Sequence, residues 1–147
     1  MAEIGHRRWA IAEGYRPSQS VSQEHALVSH ETCCMLNASE READIEIMLY
    51  FEDRGPAGPY RAKLGAQRTL HLRFNDLTNP EPVPRDTSYS SVIVSSVPIV
   101  VQHTRLDSRH PSIALLSNDR VSRGLNWQLF PPSRLAGEAP DRLHFGQ

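Results

Sequence analysis

The stretch Ala43-Asp44-Ile45-Glu46-Ile47-Met48-Leu49-Tyr50-Phe51 decides the fold. Side chains alternate across a strand with period two, so Ile45, Ile47, Leu49 and Phe51 share one face and Asp44, Glu46, Met48 and Tyr50 the other. That is a strand with one face in a core. Asp53-Arg54-Gly55-Pro56-Ala57-Gly58-Pro59 follows. Its prolines fix φ and its glycines accept positive φ, which predicts a reversal of the chain.

Working outward, the same period predicts a strand over 68–74, with Leu70, Leu72 and Phe74 inward and Thr69, His71, Arg73 and Asn75 on the opposite face. Pro80, Pro82 and Pro84 exclude helix and central strand and imply an extended surface crossing over 78–86. Val- and Ile-rich segments predict two more strands, 89–94 and 97–106, with Pro98 near the start of the second. The N-terminal part adds strands over 8–12 and 27–36. Nothing before residue 111 reads as a long helix. Six or more short strands joined by Pro/Gly-rich connections imply an all-β protein, an antiparallel β-sandwich of jelly-roll-like form. The domain spans residues 1–118. Residues 119–147, where Gly and Pro punctuate isolated apolar residues such as Trp127 and Phe130, read as a flexible C-terminal extension.

With 147 residues, 39% of them hydrophobic, the chain is long enough for one domain with its own core. Its longest apolar run, Val97 to Val101, is far short of the ~20 residues that cross a bilayer. A charged start with no cleavage signal implies a cytoplasmic protein. In a reducing compartment the adjacent Cys33 and Cys34 are expected as buried thiols. The net charge is −1 and the basic residues are scattered, which makes DNA binding unlikely on charge grounds.

Two segments repeat one pattern: His71-Leu72-Arg73-Phe74-Asn75 and His103-Thr104-Arg105-Leu106-Asp107. On strands, His71, Arg73 and Asn75 share a face, as do His103, Arg105 and Asp107. If the two rows face each other, imidazole, guanidinium and carboxylate or amide groups converge on a hydroxylated or anionic small molecule. The same spacing also suits an exposed face or an ion-pair ladder between subunits. His30 and Glu31 open another strand, and Trp9, Glu13 and Tyr15 supply aromatic and acidic groups near the N-terminus. A ligand-binding set of Trp9, Glu13, Tyr15, His30, Glu31, His71, Arg73, Asn75, His103, Arg105 and Asp107 results. Aromatic rings stack on the C–H faces of sugars while carboxylates, amides and arginines pair with hydroxyls. No metal is expected, because arginine follows each histidine row and opposes a cation. No cofactor is expected either. No G-x-S-x-G elbow exists for a hydrolase. The alternative is a small β-barrel enzyme, an isomerase or lyase working on a sugar or sugar acid through the His/Arg cluster.

Several strings together resemble the soluble sensory rhodopsin transducer family: Trp9-Ala10-Ile11-Ala12-Glu13-Gly14-Tyr15, Ser29-His30-Glu31-Thr32, Gly58-Pro59-Tyr60-Arg61, His71 to Leu77, and Pro98 to Ser108. The resemblance covers residues 5–117 and stops there. It implies a β-sandwich protomer in a homotetramer, a cytoplasmic signalling module without enzymatic activity, and communication with a membrane sensory rhodopsin. It further implies sensing of a carbohydrate or related metabolite. The C-terminal extension departs from the family pattern.

Overall fold

A computed structural model describes residues 3–110 and the short strand Arg120–Val121. Its elements are β1 (His6–Ile11), β2 (His30–Asn37), β3 (Ala43–Phe51), β4 (Ala57–Leu64), β5 (Arg68–Arg73), a 3₁₀ turn (Phe74–Asp76), β6 (Tyr89–Leu106) and β7 (Arg120–Val121). All seven strands join one curled antiparallel sheet in which β4, β3, β6, β2 and β5 follow one another, with β1 and β7 added to β6. The described residues contain no α-helix. Apart from β7, the extension over 119–147 lies outside the described residues.

β6 organises the sheet. Residues 89–95 pair with β3, 91–99 with β1, 100–106 with β2 and 102–103 with β7. The sequence predicts two strands here, and the structure has one of 18 residues. The reason lies in Pro98, which has no amide hydrogen to donate. It falls between the last β3 partner, Ser95, and the first β2 partner, Val100, where neither strand requires its N–H.

β4 corrects the predicted reversal. It begins at Ala57 and includes Gly58 and Pro59. Tyr60 pairs with Ile47 and Ala57 with Leu49, so Gly58 and Pro59 bulge opposite the single residue Met48. Gly58 has φ +128°, and a Cβ there would stand 2.7 Å from the Ile47 carbonyl oxygen. The outer edge position of β4 tolerates Pro59, because the edge asks for no ladder donor. β1 starts at His6 and β2 at His30, two residues earlier and three later than the sequence suggests.

The predicted alternation of β3 holds: Ala43, Ile45, Ile47 and Leu49 are buried, while Asp44 and Glu46 are exposed. These side chains meet Trp9 and Ile11 of β1, Cys33 and Met35 of β2, and Ile93, Ile99 and Val101 of β6 in one core. Phe74 stacks on Tyr89 with ring centroids 6.1 Å apart, closing one end. The proline-rich crossing is anchored rather than loose, since Val83 is buried in the same core.

Candidate functional site

Cross-strand partners in an antiparallel sheet point to the same face. β5 and β6 flank β2, yet Cys34 lies opposite His71 on one side and Gln102 on the other, whereas Cys33 lies opposite Leu72 and His103. His71 and His103 therefore project from opposite faces. So do Arg73, paired with Thr32, and Arg105, paired with Glu31. The two polar rows do not converge, because a one-residue offset in register inverts a row. Arg73 turns outward and contacts the His25 ring nitrogens at 2.9 and 3.0 Å. Asn75 lies in the 3₁₀ turn rather than a strand and donates to the Ser29 carbonyl oxygen. His30 also faces outward, its Nδ1 2.7 Å from the Val28 carbonyl oxygen.

The inner row builds a site of its own around Glu31. This carboxylate is fully buried, and an unpaired charge there would be costly. It is paired on every side. Oε1 accepts from the Tyr15 backbone N–H at 2.6 Å and from Arg105 Nε at 2.9 Å. Oε2 accepts from the Tyr89 hydroxyl and lies 3.6 Å from His103 Nε2. Burial alone would raise the Glu31 pKa, but bonds from His103, Tyr89 and the Tyr15 N–H outweigh it and hold the carboxyl below its ordinary value. Burial first, and then the Glu31 charge, push the Tyr89 phenol far up, so it stays a donor.

Gly14 makes this packing possible. A Cβ at residue 14 would stand 2.4, 2.6 and 2.8 Å from carbons of the Tyr89 ring. The Gly14 carbonyl accepts from the Tyr89 N–H at 2.9 Å, and Tyr15 bridges to Ser88, which docks segment 12–15 beside the start of β6.

An open cleft of about 440 Å³ lies over this network, lined by Glu13, Gly14, Tyr15, Tyr89, Arg105 and Arg109, with Ala12 and Ser88. That volume is within the range of small-molecule sites. Arg105 reaches into it from the buried anchor, donating through Nη1 to Glu13 Oε1 at 3.0 Å. Arg109 pairs with Asp107, its Nε 2.9 Å from Oδ1, and stands 5.6 Å from the Tyr15 ring centroid. The Arg109 pair holds the Asp107 carboxyl below its ordinary value. Asp107 is thus a support for Arg109. Trp9 is no stacking platform: its ring is buried and its N–H donates to the His6 and Ile99 carbonyls.

Of the residues singled out from sequence, the structure brings together Glu13, Tyr15, Glu31, His103 and Arg105, with Asp107 joined to them through Arg109. It places Trp9 in the core, and His30, His71, Arg73 and Asn75 elsewhere. Tyr89, Gly14 and Arg109 complete the cleft and were not anticipated. Tyr89 had one legible signal, an inward position that commits a hydroxyl to finding a buried partner. Among the described residues no group of three His, Cys, Asp or Glu side chains is placed to hold a metal ion. No helix there is long and apolar enough to cross a membrane.

The sequence family described as Anabaena sensory rhodopsin transducer matches residues 4–119. The chain belongs to that family. A solved structure of the Anabaena sensory rhodopsin transducer is 53% identical, with a TM-score of 0.65, covering 71% of this chain and all of that one. A crystal structure of Thermotoga maritima 1070 is 32% identical, with a TM-score of 0.68, covering 79% of this chain and 93% of that one. A comparison with curated proteins found no match. The transducer-family match includes every residue of the Glu31 network and the cleft above it.

Proposed function

We propose that this transducer-family protein is a non-enzymatic signalling module that binds a carbohydrate or related small metabolite in the cleft over Glu31. The observation that carries this reading is a fixed guanidinium, Arg105, held by a fully buried carboxylate and presented beside the half-buried Tyr15 ring. Such a site has donors, acceptors and a ring face at once, which suits a hydroxylated ligand. The enzyme reading has less support. His71 projects from the other face, and His103 stands behind the cleft against Glu31 rather than at its lining.

The family membership supports coupling to a sensory rhodopsin in the membrane, from the cytoplasmic side, by a homotetramer. The sheet edges at β4 and β5 leave strands available for such assembly. Calorimetric titration of the protein against a panel of monosaccharides and sugar acids tests the ligand reading. Binding by wild type that Arg105→Ala weakens by about 1.5–3 kcal/mol, the worth of a charge-assisted hydrogen bond, is expected. A panel that yields no binding to the wild-type protein removes the reading. Co-sedimentation with vesicles carrying a sensory rhodopsin, together with light-scattering mass, tests the partner and the tetramer.

A further inference from the structure

Besides the two-residue β7, three strands have a single partner among the described residues: β1 pairs with β6 alone, β4 with β3 and β5 with β2. A free row of N–H and C=O groups invites another strand, and charged residues, proline and bulges discourage it. β4 has all three, in the Gly58-Pro59 bulge and the exposed Arg61 and Lys63. β1 has a break in register between His6 and Arg8 and exposes Arg7 and Arg8. β5 has neither proline nor bulge. Its ladder with β2 is unbroken over residues 32–37 of that strand, and its charges, Arg68 and Arg73, stand only at its two ends. Leu70 and Leu72 pack against the core yet stay only partly buried, and Leu36, opposite Thr69, is exposed on the outer face. Apolar surface is therefore left open on both faces of this one edge. We propose that β5 pairs with β5 of a second copy of the chain about a two-fold axis through His71, joining the two sheets into one. This rests on the homotetramer reading and names one of its interfaces.

The sequence of β5, Arg68-Thr69-Leu70-His71-Leu72-Arg73, is complementary to itself in this register. A two-fold axis makes every contact occur twice. Partners across an antiparallel pair share a face, so inward leucines have to meet inward residues. An axis at His71 sets Leu70 opposite the partner's Leu72 and Leu72 opposite the partner's Leu70. Thr69 then meets the partner's Arg73, and no arginine faces another. An axis at Leu70 or Leu72 gives one leucine pair instead of two. It also sets Arg68 opposite the partner's Leu72 in the first case, and Arg73 opposite the partner's His71 in the second. Burial and charge both select His71. This self-complementarity favours a second copy over an unrelated strand.

The test is disulfide trapping in the full chain, beside the light-scattering mass of the wild-type protein. Residues facing each other across an antiparallel pair have Cα atoms about 4.5–5.5 Å apart, within the roughly 4.4–6.8 Å that a disulfide spans. His71→Cys, made together with Cys34→Ser because Cys34 stands opposite His71 on β2, is expected to oxidise to a covalent dimer. Thr69→Cys with Cys34→Ser is the control. In the proposed register residue 69 lies about 13 Å along the strands from its own copy, and its cross-linking should be at least about tenfold weaker. If the wild type is an oligomer and His71→Cys does not cross-link, the β5 interface is overturned while assembly stands. Equal cross-linking at the two positions overturns the register. A monomeric wild type overturns both the interface and the homotetramer reading, and slow amide exchange at β5 in that monomer would assign the edge to another part of the chain.

Discussion

Glu31 draws its partners from three separate parts of the chain: the Tyr15 N–H before β2, Tyr89 at the start of β6 and Arg105 near its end. Removing one partner leaves a buried acceptor short of a donor. Tyr89→Phe should therefore cost about 1–3 kcal/mol in urea unfolding, with the fold retained. The lowered Glu31 pKa has a definite sign. A carboxyl more acidic in the folded than in the unfolded chain adds stability that is complete above its ordinary value of 4.5 and is lost as pH falls through the lowered one. Unfolding free energy measured from pH 6 downward should decline below about pH 4.5 through this group, and Glu31→Gln should flatten that part of the decline. The two cysteines offer a second check at this scale. Cys33 is buried, and burial together with the Glu31 charge drives its thiol pKa up, whereas Cys34 is partly exposed on the outer face. A thiol reagent should modify Cys34 alone in the native protein and both residues after unfolding; native labelling of Cys33 would contradict the described core.

At the scale of elements, the strands β1, β2, β3, β5 and β6 were legible in the sequence, whereas β4, read as a turn, β7 and the strand register were not. β3 announced itself because its apolar and polar residues alternate without interruption, and the proline-rich crossing did so through its three prolines. Within each H-x-R row the common face was also legible. Which face of the sheet each row takes depends on how β5 and β6 pair with β2, a long-range property that no local spacing encodes. Gly58-Pro59 misled for a related reason, since the same residues that make turns also make a bulge on an edge strand. Gly58→Ala tests that bulge. With φ at +128° and the Ile47 carbonyl 2.7 Å from the new Cβ, the substitution should destabilise the protein by about 1–3 kcal/mol. A neutral result would mean that the Ile47–Leu49 pairing is not as described.

At the scale of the whole molecule, the sheet curls so that one face of the β2–β5–β6 region closes on the core and the cleft while the other turns outward. The proposed ligand site thus lies on the inner row, and the outer His71–Arg73 row lies on the opposite face. Arg73→Ala should accordingly leave ligand affinity within about twofold of wild type, in contrast to Arg105→Ala, since a residue on the opposite face shares no partner with the cleft. The most direct measurement is amide chemical-shift mapping of the labelled protein during titration with the tightest-binding member of the sugar and sugar-acid panel. The account predicts changes concentrated at residues 12–15, 88–89 and 105–109, with residues 71–73 unmoved. Changes concentrated at His71 and Arg73, with Tyr15 and Arg105 silent, would contradict it.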